Sequence, residues 1–183
     1  LHKMGLRTNV FSSAEVQNKT EKSKSDSECD VKDYLTIKNF FYKYKNGLVA
    51  LNIPYMKIPS GQITAITGEN GKGKTTFLNR LQQNKVYNNT IYLAYTGIAA
   101  THINGSTIHS FFNIPPVDVI QVGKGQYSNN LFEKLSIVDL IVIDEISMVR
   151  ADLMDEIDYE LRQAKKNHLP FGGVKMLLVG DLY

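Results

Sequence analysis

The sequence predicts an α/β fold with a mainly parallel β-sheet, preceded by a short antiparallel β segment. Four runs rich in β-branched and apolar residues alternate with helical or long connecting segments, at residues 62–67, 90–95, 138–143 and 174–179. A glycine-rich turn links the first of these runs to a helical pattern. The third run is apolar from Leu140 to Ile143 and ends in two carboxylates, which is typical of a strand buried on both faces. Such strands pair in parallel, and ligands bind at their carboxyl ends.

Composition limits the kind of protein. The chain has 183 residues, 43% of them hydrophobic, which is enough for one well-buried domain with a small addition. A net charge of +3 permits a nucleic-acid partner without arguing for one. Cys29 is the only cysteine, which excludes an intrachain disulfide and a cysteine-based zinc site. The lone cysteine fits a reducing compartment, so we expect an intracellular protein. No apolar run has the length of a membrane span.

Two segments precede the predicted core of residues 62–183. Residues 12–33 are nearly all polar or charged, and we expect the whole of residues 1–33 to be a disordered segment. Residues 34–61 alternate apolar and polar side chains on both sides of a turn at Asn46 and Gly47, which predicts an antiparallel β lead-in. The chain starts at Leu1 and stops at Tyr183 directly after a strand pattern, so we expect a fragment whose core is truncated at its C-terminal end.

The glycine-rich turn predicts a phosphate-binding loop. It fits the pattern G-x-x-x-x-G-K-S/T without a mismatch, through Gly68, Glu69, Asn70, Gly71, Lys72, Gly73, Lys74, Thr75 and Thr76. Its glycines let backbone N–H groups approach a polyphosphate, and the helix that follows adds the positive end of its dipole. In such a loop Lys74 reaches the β- and γ-phosphates, and the Thr75 hydroxyl binds Mg²⁺. We therefore predict ATP and Mg²⁺ as cofactors; the alternative is a glycine-rich turn with an unrelated lysine.

The carboxylates after the third strand pattern are the candidate hydrolytic groups. Beside the loop, Asp144 can hold Mg²⁺ through water, and Glu145 can orient and deprotonate the attacking water. A strand that ends in Asp-Glu is common and by itself indicates little. In the same chain as the loop, it completes a predicted catalytic set of Lys74, Asp144 and Glu145, with Thr75 and Asp144 as the metal ligands.

Residues 151–168 predict an amphipathic helix. Its apolar stripe has the spacing of a core-facing surface, at Leu153, Ile157, Leu161 and Ala164. On the same helix Asp158 and Arg162 stand four residues apart, which predicts an ion pair.

Residues 35–76 resemble the opening of an ATP-binding-cassette (ABC) ATPase. The likeness is carried by Tyr44, by Ile58 to Ile63 and by the spelling of the phosphate-binding loop. It implies that Tyr44 stacks on adenine, and it would imply a membrane or ATPase partner. The alternative for Tyr44 is an ordinary strand aromatic that packs on a sheet face. The Leu-Ser-Gly-Gly-Gln signature of that family is absent from the sequence.

Residues 67–183 resemble the first motor domain of the Pif-type DNA helicases, the superfamily-one group that moves 5′ to 3′ along single strands. Three motifs carry the likeness: Tyr95 to Phe112, Asp144 to Val149, and Val179-Gly180-Asp181. Tyr95 stands where the family has proline. The resemblance implies a P-loop NTPase (RecA-like) core and single-stranded DNA as partner.

The same resemblance implies five DNA contacts, at Thr96, Gly97, Thr107, His109 and Ser110. Small donors at strand-to-helix turns suit a sugar-phosphate chain. The alternatives are that the Thr and Ser side chains cap helices and that His109 is a structural residue.

We therefore predict the ATP-hydrolysing motor core of a DNA helicase, as a fragment that lacks the second motor domain and hydrolyses ATP weakly at most. The first alternative is the nucleotide-binding unit of an ABC-type ATPase or transporter, and the second is an inactive nucleotide-binding remnant. Because the two resemblances meet at the loop, we also predict a junction there, which could be a gene fusion, a recombined gene or an error of sequence assembly.

Overall fold

The structure, a computed structural model, describes residues 7–11, 34–47, 49–69, 71–83, 89–124 and 128–181. It contains a six-stranded sheet and a separate two-stranded hairpin. The strands are β1 (Arg7–Phe11), β2 (Tyr34–Lys43), β3 (Val49–Pro59), β4 (Ile63–Thr67), β5 (Thr90–Ala94), β6 (Ser106–Thr107), β7 (Leu140–Asp144) and β8 (Lys175–Gly180). The α-helices are α1 (Lys74–Gln83), α2 (Gly97–His102), α3 (Ile108–Phe112), α4 (Asn129–Ile137) and α5 (Ala151–Lys165), with short 3₁₀ helices at Ile146–Met148 and Pro170–Gly173. None of the described helices is long and apolar enough to cross a bilayer.

The large sheet confirms the predicted fold class. Its strand order is β1-β4-β8-β7-β5-β6, and the five strands from β4 to β6 in that order are parallel. Strands β7 and β8 are buried at every residue, because they lie in the middle of the sheet with chain packed on both faces. This position explains why the sequence is apolar from Leu140 to Ile143 in β7 and from Met176 to Val179 in β8. The hairpin of β2 and β3 is antiparallel, as predicted.

Strand β1 differs from the expectation of a disordered segment over residues 1–33. It pairs antiparallel with β4, from Arg7 opposite Thr67 to Phe11 opposite Ile63. A strand of five residues at a sheet edge is defined by its backbone partner, so its own sequence carries little signal. Residues 1–6 and 12–33 lie outside the described residues.

Two apolar clusters pack on opposite faces of the large sheet. One cluster joins α1 and the hairpin to the sheet face that carries Val142 and Leu177. The other joins α3, α4 and α5 to the face that carries Ile143 and Leu178. Alternate residues of β7 and β8 therefore point to opposite layers, as the pleat of a strand requires.

Helix α5 confirms the predicted core stripe, whose four residues are all buried. The predicted ion pair is also present, with Arg162 Nε at 2.7 Å from Asp158 Oδ2. Two carboxyl groups on this helix, those of Glu156 and Glu160, are buried, which was not predicted from the sequence. Glu156 Oε2 accepts a hydrogen bond from the Gly123 backbone N–H at 2.7 Å, whereas Glu160 Oε2 has no hydrogen-bond partner among the described residues.

Glu160 should make the stability of the fold depend on pH. Burial, and secondarily the charge of Glu156, raise the pKa of Glu160 from 4.5 to about 8. The folded chain then holds a proton that the unfolded chain has lost, so its free energy of unfolding falls as pH rises from about 4.5 to about 8. Each unit of this pKa difference corresponds to about 1.4 kcal/mol.

Glu160→Gln replaces this carboxyl with an amide that does not titrate. The variant is expected to be more stable than the wild type at pH 8 and nearly as stable as it at pH 5. Urea unfolding at a series of pH values measures the difference. Asp155→Asn, at an exposed position of the same helix, serves as the control. A stability difference between Glu160→Gln and wild type that stays constant from pH 5 to pH 8 would show that Glu160 is ionised normally in the folded chain.

Candidate active site

The predicted phosphate-binding loop joins the end of β4 to the start of α1. Gly71 and Gly73 have φ angles of +79° and +93°, a region that favours glycine. Within the loop, the Lys72 N–H donates to the Glu69 carbonyl at 3.2 Å. Asn70 lies outside the described residues. The strand, turn and helix that the motif needs are therefore all present around it.

Lys74 is held on the inner side of this loop. It is the first residue of α1 and is only 9% exposed. Its Nζ donates a hydrogen bond to the Gly68 carbonyl oxygen, at the other end of the loop. The ammonium group thus lies against the loop backbone, which is where a bound polyphosphate needs a compensating charge.

Asp144 lies at the same edge of the sheet as the loop. It ends β7, and β8 lies between β7 and β4, so the carboxyl ends of all three strands meet there. Asp144 is 6% exposed, and its Oδ1 accepts a hydrogen bond from the Glu145 N–H at 3.0 Å. Burial raises the pKa of Asp144, while that hydrogen bond and the positive charge of Lys74 act to lower it. Lys74 and Asp144 therefore lie at the same edge of the sheet, close enough for the charge of one to act on the other.

Glu145 begins a tight turn directly after Asp144. Its φ and ψ are 57° and 44°, in the left-handed region that few non-glycine residues adopt. Gly180, at the end of β8, allows this turn to pass close by, because a Cβ at Gly180 would lie 2.9 Å from the Ile146 backbone nitrogen. Gly180 was predicted as part of a motif, but this packing role was not predicted from the sequence. Backbone strain of this kind is often found at functional sites.

The oxygen donors at this edge fit Mg²⁺. Thr75 offers an exposed hydroxyl at the start of α1, and Asp144 offers a buried carboxyl at the end of β7. Hard oxygen ligands of this kind suit Mg²⁺ together with substrate phosphates. A cation there would also offset the cost of ionising a carboxyl that is largely out of water.

The candidate DNA contacts lie after β5 and β6, at the same edge of the sheet. Thr96 caps α2 by accepting from the Ala99 N–H at 3.2 Å, and Thr107 caps α3 by accepting from the Ser110 N–H at 3.2 Å. Both threonines therefore have the capping role that the sequence analysis gave as an alternative. Gly97 and Ser110 are exposed.

His109 is half-buried, and its ring packs edge-on against Tyr95 with centroids 5.6 Å apart. Tyr95 is the residue that replaces the proline of the resembling motif, and the sequence did not predict this pairing. The contact gives His109 a packing partner next to the candidate DNA surface.

Tyr44 lies beside the first turn of α1. Its hydroxyl is 3.1 Å from Thr76 Oγ1, and its ring packs edge-on against Tyr42 with centroids 5.3 Å apart. Tyr44 is 41% exposed, so part of the ring remains accessible. The hairpin thus places an accessible aromatic ring next to the phosphate-binding loop, although the two are distant in sequence.

The comparisons with known proteins agree with this geometry. The family model for PIF1-like helicases matches residues 51–183. The ATP-dependent DNA helicase PIF1 of Saccharomyces cerevisiae is 35% identical over 131 residues, which are 64% of this chain and 14% of that protein. The human ATP-dependent DNA helicase PIF1 is 34% identical over 133 residues, or 66% of this chain and 19% of that protein. The chain therefore spans about a seventh to a fifth of these relatives.

Solved structures are similar over the same part of the chain. A Bacteroides Pif1 helicase, solved in complex with ADP-AlF₃ and single-stranded DNA, has a TM-score of 0.60 and 43% identity, and the match covers 66% of this chain and 28% of that one. The Candida albicans Pif1 helicase has a TM-score of 0.53 and 29% identity, over 64% of this chain and 28% of that one.

The family match also bears on the predicted junction. It begins at residue 51, ahead of the loop, and so includes residues that the sequence analysis assigned to an ABC-like lead-in. It also includes the loop and both carboxylates, which leaves the ABC interpretation the weaker of the two. The chain belongs to the PIF1-like helicase family.

Proposed function

We propose that this chain binds ATP with Mg²⁺ and hydrolyses it as the motor core of a helicase that moves along single-stranded DNA. The observation that supports this proposal best is that Lys74 and Asp144 are both buried and lie at the same carboxyl edge of a parallel sheet. An edge of this kind is where nucleotides bind in open α/β sheets. Family membership supports the choice of ATP and of DNA over other substrates.

Each residue of the site has a defined role in this proposal. The loop N–H groups and Lys74 bind the phosphates, and Thr75 and Asp144 hold Mg²⁺. When bound, Mg²⁺ neutralises the charge that develops on the transferred phosphoryl group. Glu145 orients the attacking water and takes its proton.

The proposed DNA contacts are Thr96, Gly97, Thr107, His109 and Ser110. They follow β5 and β6, at the sheet edge that also carries the nucleotide site, which supports coupling between the two. Capping does not prevent a threonine from contacting a phosphate, since a hydroxyl that accepts one hydrogen bond can still donate another.

Phosphate release with and without a single-stranded oligonucleotide tests the proposal, in this chain and in the longest natural chain that contains it. A helicase motor should hydrolyse ATP faster when single-stranded DNA is present, and only with Mg²⁺. We expect weak hydrolysis and no unwinding from the 183 residues alone. Hydrolysis that ignores DNA in the longer chain would favour the ABC alternative, and absence of nucleotide binding would favour an inactive remnant.

Tyr44 is proposed as a contact for adenine. Its position beside Thr76 and its partial exposure support this role. Tyr44→Ala should weaken ATP binding by about fivefold or more, because stacking of an aromatic side chain on a base contributes about 1–3 kcal/mol. Binding of inorganic triphosphate, which has no base, should not change in a calorimetric titration.

Tyr44→Phe keeps the ring and loses the hydrogen bond to Thr76, so it separates stacking from that bond. If Tyr44→Ala weakens ATP and triphosphate equally, the tyrosine supports the loop and does not contact the base.

The division of the chain into a lead-in of residues 34–61 and a core of residues 62–183 remains a proposal. In its favour, β2 and β3 form a sheet of their own. An intracellular location, in the nucleus or mitochondrion of a eukaryote or otherwise in the cytoplasm, follows from the proposed DNA substrate.

A further inference from the structure

The hairpin of β2 and β3 has one buried face and one exposed face. Residues directly opposite each other on paired strands point to the same face of a sheet. The buried face includes the cross-strand pair of Ile37 and Met56, and Phe40 packs on Phe77 of α1 with ring centroids 5.3 Å apart. Side chains on the other face point away from the core.

The exposed face combines aromatic rings with lysines. Lys38 lies opposite Tyr55, and Phe41 lies opposite Asn52. Phe41 and Tyr55 are 51% and 52% exposed, although aromatic rings of this size are usually more buried. Lys57 Nζ lies 5.9 Å from the centre of the Tyr55 ring. We name this surface, formed by Lys38, Phe41, Lys43, Asn52, Tyr55 and Lys57, the hairpin face.

The net positive charge of the chain comes from the same segment. Residues 34–61 contain no Asp or Glu and four lysines, which are Lys38, Lys43, Lys45 and Lys57. The whole chain has 21 Lys and Arg against 18 Asp and Glu, so the residues outside this segment have 17 against 18. The net positive charge therefore comes from the hairpin segment alone, and its exposed side is complementary to an anionic chain.

We propose that the hairpin face is an accessory binding surface for single-stranded DNA, separate from the contacts at the carboxyl edge of the large sheet. A single strand offers phosphates to the lysines and unstacked bases to Phe41 and Tyr55, and a sheet face with exposed rings can stack such bases without selecting their sequence. The choice of single-stranded DNA as ligand rests on the proposed function, whereas the place of the surface rests on the charge and exposure of the hairpin.

The test measures binding of a fluorescein-labelled twelve-nucleotide oligo-dT by anisotropy at several salt concentrations, without nucleotide. The plot of log affinity against log salt has a negative slope, and Lys38→Gln with Lys43→Gln should make that slope shallower by about 1.4, since each phosphate contact on a single strand contributes about 0.7 to its magnitude. The same double change at Lys124 and Lys134, exposed lysines outside the hairpin, is the matched control and should leave the slope nearly unchanged.

Phe41→Ala with Tyr55→Ala should weaken binding by about fivefold or more, and Tyr55→Phe, which keeps the ring, should bind like wild type. Because these side chains are exposed, the unfolding midpoint of each variant should match that of the wild type. If the lysine pair matters and the ring pair does not, the face is a general polyanion surface and the proposal is overturned.

The two proposals fail in different ways. If the hairpin variants bind DNA like wild type while Ser110→Ala weakens binding, the proposal of an accessory surface is overturned and the proposed function stands. If the wild-type chain binds no single-stranded DNA at low salt, the accessory surface is overturned; DNA stimulation of hydrolysis in the longer chain then decides the proposed function separately.

Discussion

Lys74→Ala is expected to abolish measurable ATP binding, with an affinity lower by about a hundredfold or more, because hydrogen bonds to charged groups contribute about 1.5–3 kcal/mol each. The lysine is almost fully buried, and its ammonium lies against the loop that would hold the phosphates. Titration with a fluorescent ATP analogue in the presence of Mg²⁺ measures the effect.

Lys72→Ala is the matched control within the same loop. Lys72 is more exposed, with 44% of its side chain accessible, and its Nζ lies 3.6 Å from Glu69 Oε2 at the surface. Losing this charge should weaken ATP binding only a little, because the attraction between exposed groups is screened by water and salt. Equal affinities for the Lys74→Ala variant and the wild type would mean that the loop is not the nucleotide site.

Glu145→Gln is expected to keep ATP binding and to lose turnover by about 10²–10⁴-fold, the usual contribution of a positioned general base. Glutamine has nearly the same shape but cannot take the proton of the attacking water. Phosphate release in the presence of single-stranded DNA, together with the ATP titration, separates the two effects. The measurement belongs in the longest natural chain that contains these residues, where hydrolysis should be fastest.

Asp144→Asn provides the contrast for Glu145. Asp144 is the buried carboxyl next to Lys74, and its loss should weaken binding of ATP with Mg²⁺ more than binding of ATP without the metal. Should Glu145→Gln instead lose binding together with turnover, the role of Glu145 would be to hold the left-handed turn after β7, not to activate water.

Four of the five strands of the parallel sheet could be predicted because each has a local signal, whereas β6, with only two residues, has none. Strand β7 is a run of apolar residues that ends in Asp144, and α5 has an apolar residue at each helical turn. The phosphate-binding loop is equally local, since Gly71 and Gly73 stand where φ is positive. Strand β1 has no such signal, because its place depends on the open edge of β4.

The site itself is only partly local. Its individual groups follow from the sequence, but the placement of Lys74 and Asp144 at one sheet edge requires β8, the last described strand, to insert between β4 and β7. The hydrogen bond between Tyr44 and Thr76 likewise requires the hairpin to pack on α1. Neither the strand order nor the packing of the hairpin on α1 leaves a recognisable pattern in a single sequence.

The sequence by itself determined the α/β class, the phosphate-binding loop and the carboxylates after β7, since periodicity and turn chemistry act over a few residues. Only the tertiary structure decided which residues became neighbours. It buried Glu160 without a hydrogen-bond partner among the described residues, and it left Phe41 and Tyr55 exposed on a basic face. Burial and charge complementarity depend on strand order and on the packing of layers, which bring together residues far apart in the chain.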